Sequence, residues 1–327
     1  MGRIRREDVL TLNNFPQNGG LYVPTSGNQW FVNAQTDTIA RGGDTARGNS
    51  WKTALRTMTR ALTLAQSGDT VYATGDIREE VVGSNLKFDI TIVGCGSLHH
   101  ADSPAAGYLT GGAVWRPPAS PTTATPLIAV RGRGWKFVNI FFDCPVDAAA
   151  IRLARNSLDG TSEYDAGHAS IIDCDFRNGL YGIEDYDGCY NVTVRGNTFE
   201  SLDATSSVAA IIGNAGGGPA SPRRWRILDN FFQSDSTTEG NERHIVLGLA
   251  GSLIKGNVFG TVKGSGLYID LSKGSLGSGN VVTGNVLGGL YDTTDYVPGT
   301  GDLWYQNASV VKATTSPDGV TLDVPGA

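Results

Sequence analysis

Six hexapeptides align in this sequence without a gap, and they leave little choice of fold. They are FVNIFF (137–142), IIDCDF (171–176), VRGNTF (194–199), ILDNFF (227–232), IKGNVF (254–259) and VTGNVL (282–287). Successive copies end 34, 23, 33, 27 and 28 residues apart. A period of about 20–50 residues belongs to a stack of like supersecondary units. The first and last positions are apolar in every copy, from Phe137 and Phe142 to Val282 and Leu287. The third is Asn139, Asp173, Gly196, Asp229, Gly256 or Gly284, the residue types that tolerate positive φ. The fourth is Asn in the last four copies: Asn197, Asn230, Asn257 and Asn285. Each copy therefore reads as a strand, a one-residue left-handed kink, an inward Asn and a second strand. Asn side chains stacked at one bend satisfy each other and the turn backbone, as buried amides must be. Cys174 and Ile140 stand in the Asn position of the two earlier copies. The ladder is expected to stop before them.

A second apolar run accompanies each copy, at 151–153, 182–183, 211–212, 245–249 and 267–271. The spacing between the two runs varies, so loops of unequal length leave the stack, the longest at 154–168, 213–224 and 233–243. Residues 1–30 read as an irregular arm rich in Asn, Gly, Pro and Gln. Residues 50–66 carry apolar side chains at three- and four-residue steps, from Trp51 to Ala65, with Asn49 or Ser50 to cap the start and Gly68 to end it. That spacing predicts an amphipathic helix, suited to closing the open end of a solenoid. The repeats fill 31–297, and 298–327 reads as short strands around a Pro-Asp-Gly turn, a C-terminal β cap or oligomerisation tail.

Composition agrees with many short strands and tight turns. Glycine accounts for 44 of 327 residues, and charged residues for only 18%. The net charge of −6 argues against a nucleic-acid surface, and the only basic cluster along the chain is Arg3, Arg5 and Arg6. The four cysteines, Cys95, Cys144, Cys174 and Cys189, form no CxxC pair and are expected to be buried free thiols. No apolar run is long enough for a membrane span, and no secretion signal is expected. Neither a cofactor nor a metal is implied.

The stretch SWKTALRTMTRALTLAQSGDTVYATG (50–75) resembles the helix-and-strand lead-in of right-handed parallel β-helix proteins of the pectate-lyase-like superfamily. The Gly-Asn turns resemble that superfamily's Asn-ladder turn. The resemblance covers roughly 30–290. It implies an all-β, right-handed parallel β-helix solenoid with an N-terminal capping helix and a short C-terminal β element. The same scaffold hosts lyases, hydrolases and non-catalytic virion proteins, so it implies a fold and not an activity.

A pectate-lyase-like site would need several Asp residues to hold Ca²⁺ and a basic residue to abstract a proton; the nearest candidates are Asp173, Asp175 and Arg177, then Glu184, Asp185 and Asp187. Asp173 occupies the kink position, where backbone geometry alone accounts for it, and the second group reads as a solvated loop. Outward acids on neighbouring coils, Asp175, Glu200, Asp203, Asp235 and Glu239, contain no pair that a motif singles out. The four histidines, His99, His100, His168 and His244, adjoin no nucleophile motif. Tyr164, Arg223, Arg224 and Trp225 are the candidates for gripping a sugar chain, since aromatic faces and guanidinium forks suit that task. The residue after the ladder position should face outward, and there Phe141, Phe231, Val258 and Val286 are apolar. A solvated sheet face does not favour that composition, so these residues are expected at an oligomer interface. By resemblance to phage β-helices the expected assembly is a homotrimer. The function expected is that of a bacteriophage virion surface protein, a capsid decoration or a spike, made in the host cytoplasm. Its arm would dock on other virion proteins and its loops would touch polysaccharide. A depolymerase on the same fold is the alternative.

Overall fold

The computed structural model describes residues 27–34, 44–84, 86–96, 112–154, 166–186, 188–200, 202, 209–213, 222–233, 243–260, 268–272, 278–288 and 295–309. Its strands stack in parallel on three faces. Face A runs from Gln29–Asn33 through Lys136–Val138 and Leu253–Lys255 to Leu303–Tyr305. Face B runs from the second half of Thr70–Arg78 through Phe141–Asp143 and Phe231–Gln233 to Ala308–Ser309. Face C is an eight-stranded sheet from Val81–Val82 to Tyr296–Val297. Thr70–Arg78 pairs on face A at its start and on face B at its end. The chain visits A, B and C in turn, so each coil pairs with the coils before and after it.

Side-chain alternation fills the interior with three apolar rows, one from each face. Face A contributes Ile92, Phe137, Ile171, Val194, Ile227, Ile254 and Val282, which pair in register and are fully buried. Face C contributes Ile128, Ile151, Ile183, Ile211, Ile245 and Ile269, also fully buried. Face B contributes a stack of rings, Phe142, Phe176, Phe199, Phe232 and Phe259, with successive centroids 4.9, 4.8, 4.9 and 4.8 Å apart. The strand spacing of about 4.8 Å sets that separation, so the rings stack face to face from Phe142 to Phe259.

At the N-terminal end the expected helix over 50–66 is broken in two. Trp51–Thr53 forms one 3-10 turn, and Met58–Leu64 forms a seven-residue α-helix. The break lies where Leu55 pairs with the first strand: its N–H donates to Phe31 O, and its carbonyl accepts from Asn33 N. Satisfying the strand edge outweighs continuing the helix. The cap is Thr57, not Asn49 or Ser50, and its hydroxyl accepts from Arg60 N. The Glu79 carboxylate accepts from the N–H groups of Met58 and Thr59 in the first turn. Trp51, expected on the apolar face, is exposed, whereas Leu55, Met58 and Ala61 cover the core.

At the other end the solenoid runs past residue 297. Leu303–Tyr305 pairs with Val281–Thr283 on face A, and Ala308–Ser309 pairs with Val286–Leu287 on face B. The segment expected to be a separate cap therefore begins with two more strands of the stack. Residues 1–26 and 310–327 lie outside the described residues.

Candidate interaction faces

The bend from A to B is built as one repeated device. Asn139, Asp173, Gly196, Asp229, Gly256 and Gly284 all have positive φ, between 51° and 70°. Their N–H groups turn to the next coil, as in Asp173 N to Arg195 O and Asp229 N to Lys255 O. Behind the kink, Asn197, Asn230, Asn257 and Asn285 are buried. The Oδ1 of each accepts from the rung before it, and the Nδ2 donates to the rung after it: Asn197 to Asn230, Asn230 to Asn257, Asn257 to Asn285, all at 2.9–3.0 Å. The ladder has a further rung, Asn307, whose Oδ1 accepts from Asn285 N and Nδ2. It starts at Cys174, whose backbone N–H donates to Asn197 Oδ1. Gly196 is glycine for two reasons: its φ is +66°, and a Cβ there would lie 2.3 Å from Asp173 Oδ1.

A second kink row, absent from the sequence expectations, makes the bend from C to A. Asp89, Gly134, His168, Asn191, Arg224, Gly251, Gly279 and Gly301 all have positive φ. The residue after each points inward, and the last of these form a polar ladder of their own. Trp225 N donates to Ser252 Oγ, Ser252 N to Asn280 Oδ1, and Asn280 N and Nδ2 to Asp302 Oδ1. This row corrects the reading of Trp225. Its ring is fully buried and its Nε1 donates to Cys189 O, so it offers no face to a sugar. Arg223 and Arg224 are exposed on the corner above it. Tyr164 lies outside the described residues.

The acidic residues are engaged within the fold. Glu184 and Asp185 are not a solvated loop: both lie in the strand Tyr181–Asp185 and both are buried. Glu184 meets Arg152 at 2.6 Å, and Asp185 accepts from Gly188 N and Cys189 N. On face B, Arg177 reaches Asp175 at 3.2 Å and Glu200 at 3.1 Å. Asp76 meets Arg78 at 2.7 Å and Arg116 at 2.8 Å. Burial pushes the Asp173 carboxyl above its ordinary pKa, opposed by the Arg195 charge. Asp187, Asp203, Asp235, Glu239, His99 and His100 lie outside the described residues. Among the described residues no three His, Cys, Asp or Glu side chains are placed to hold a metal. All four cysteines are free thiols; Cys144, Cys174 and Cys189 are buried, and burial raises the Cys174 pKa to about 12.

The outward row of face B divides into two halves. In register it reads Asp76, Val114, Phe141, Asp175, Thr198, Phe231, Val258, Val286 and Ala308. Phe141, expected at the surface, is buried, and the Arg177 guanidinium lies 5.9 Å from its ring centroid. Phe231, Val258 and Val286 are 38%, 37% and 36% exposed, and they adjoin one another. Near the same end of face A, Leu303 and Tyr305 are exposed as well.

Three parallel sheets, two rows of left-handed kinks and an interior Asn ladder define a right-handed parallel β-helix. No protein-family model and no curated protein matches the sequence. Solved structures do match, at low identity. The pectin methylesterase of Aspergillus niger is 12% identical, with 91% of this chain and 92% of that one covered and a TM-score of 0.38. A rhamnogalacturonan lyase is 9% identical, with 89% and 84% covered and a TM-score of 0.38. A mutant tailspike protein of the E. coli bacteriophage HK620, in complex with a pentasaccharide, is 14% identical, with 90% and 57% covered and a TM-score of 0.37.

Proposed function

We propose that this chain is a virion surface protein of a bacteriophage, a capsid decoration or spike. In this reading it acts as a rigid rod, associates with copies of itself as a trimer and touches glycans without cleaving them. The observation that carries the reading is the row Phe231, Val258 and Val286. It is exposed, straight and in register on a face whose other half is closed by ion pairs. Three adjacent apolar residues facing water on a rigid sheet suit contact with another protein surface. Around a three-fold axis three copies bring the same row together and close the assembly. The carboxylates on the described outer faces that best resemble a catalytic pair are held by Arg152 and Arg177, which favours contact over hydrolysis. The turn and lead-in motifs carry the fold alone; the virion setting is read from the apolar outer row, which suits the trimers that phage β-helices form.

Native mass measurement at micromolar concentration tests the assembly. A trimer is expected, and Phe231→Asp combined with Val258→Asp should release folded monomers. A wild-type monomer would overturn the trimer. Incubation with capsular and pectic polysaccharides, followed by assays for reducing ends and unsaturated products, tests the rest. Turnover by the purified protein would replace this reading with the depolymerase one.

A further inference from the structure

Winding the chain gathers cations that are scattered along the sequence. Arg223, Arg224 and Arg226 lie on one coil, at the corner from C into A and on the first position of face A. All three are exposed. On the coil before, Tyr190 is bridged to Arg223, and Asn191 donates its N–H to Arg223 O. On the coil after, Lys255 is exposed. Arg195 and Lys255 flank Leu228 in one row of face A, two strand spacings or about 10 Å apart. Among the described residues, Arg223, Arg224, Arg226 and Lys255 join no ion pair. Beside them the half-buried Tyr190 ring is engaged within the fold, by the Arg133 guanidinium over it at 5.5 Å and by the His168 ring at 5.2 Å in a T-shaped contact. Among the described residues the nearby acids are Asp173 and Asp229, on the kink into face B, where their carboxylates lie against Gly196 and Gly256 next to Arg195 and Lys255. A protein of net charge −6 thus carries a compact basic plate.

We infer that this plate binds an acidic glycan, a polysaccharide carrying carboxylate or sulfate groups. Guanidinium forks pair with planar or tetrahedral oxyanions. The coil repeat presents cations at fixed intervals, while an acidic polysaccharide bears its charges one or two sugars apart. Duplex DNA fits less well. It carries a charge about every 1.7 Å of its axis, and a plate three coils tall on an acidic body neutralises little of that. The inference deepens the glycan contact of the proposed function. It does not depend on the trimer.

The test is retention of the full-length protein on polygalacturonate, dextran sulfate, neutral dextran and duplex DNA, over a salt gradient. The plate variant combines Arg223→Gln, Arg224→Asn, Arg226→Gln and Lys255→Gln; Asn at 224 tolerates the positive φ of 56°. A control removes the same charge elsewhere, at the exposed Arg47, Lys52, Arg56 and Arg60, each to Gln. Wild type should bind at least one of the acidic glycans in a salt-sensitive manner and leave neutral dextran. The plate variant should bind about ten-fold more weakly or worse, while the control stays within about two-fold. Unchanged thermal unfolding establishes that the plate variant is folded. Absent binding by wild type, equal losses in both variants, or equal affinity for duplex DNA would overturn the inference. A failed trimer with intact glycan binding would overturn the assembly alone.

Discussion

A single Asn carries several obligations in this fold. Asn257 Oδ1 accepts from Asn230 N and Nδ2, while its Nδ2 donates to Ile227 O and Asn285 Oδ1. The site is fully buried, so no water replaces a lost partner. Asn257→Ala should therefore cost about 3 kcal/mol or more, from unsatisfied groups on both neighbouring rungs. Among the described residues Asn307 holds the rung before it and the Val282 carbonyl and no rung after it, so Asn307→Ala should cost about half as much. Urea midpoints of the two variants check the order. Equal losses would mean that the ladder is no more constrained in its middle than at its end.

At the level of elements, what the sequence shows depends on how uniform a row is. The A-to-B bend was readable because its kink positions are Asn, Asp or Gly and its last residue is nearly always Phe. The final copy, Trp304 to Ser309, was missed because Gln306 takes the kink, with φ +56°, and Ser309 replaces the aromatic. The C-to-A bend was harder to see because Arg224 takes one kink and the residue after the kink varies from Ile90 and Trp135 to Ser252 and Asp302. Trp225 was misread because neighbouring arginines suggest solvent, whereas the residue following a kink turns inward. The basic plate joins residues of successive coils, so it forms no run in the sequence.

The end of the phenylalanine stack makes its own prediction. His244 packs against Phe232, Phe259 and Tyr268, and its Nε2 finds no hydrogen-bond partner among the described residues. Burial lowers its pKa from 6.5 to about 4, against a smaller opposing effect of its hydrogen bond to the Gly260 backbone. The unfolded chain takes up this proton below about pH 6.5, and the native one only near 4. This contribution to stability is complete above pH 6.5 and is lost as the pH falls toward 4, by up to about 3 kcal/mol. His244→Phe should remove that part of the acid sensitivity. Urea midpoints of both proteins at pH 7.5 and pH 4.5 check it; parallel losses would exclude His244 as the source.

For the whole molecule, the consequence of coil-on-coil contact is that stability is local. Each coil pairs with the coils before and after it, so an end opens without the middle, unless something covers it. The N-terminal end is covered by Leu55, Met58, Ala61 and Ala65, all essentially inaccessible to solvent. The short helix that carries Met58 is held by the Glu79 carboxylate from the first coil. Met58→Asp places an unpaired charge at that seal, at a cost of at least about 3 kcal/mol. The loss should appear first where the cover is lifted. Native-state hydrogen exchange should show faster opening at Val71 and Ile92, while amides around Ile254 and Val282 keep their protection. A uniform loss along the rod would mean that the solenoid unfolds as one unit and that the cap stabilises every coil alike. A graded loss would instead define how many coils share one cooperative unit. It would also separate the end that needs a cap from the half that, in the proposed assembly, is held by its neighbours.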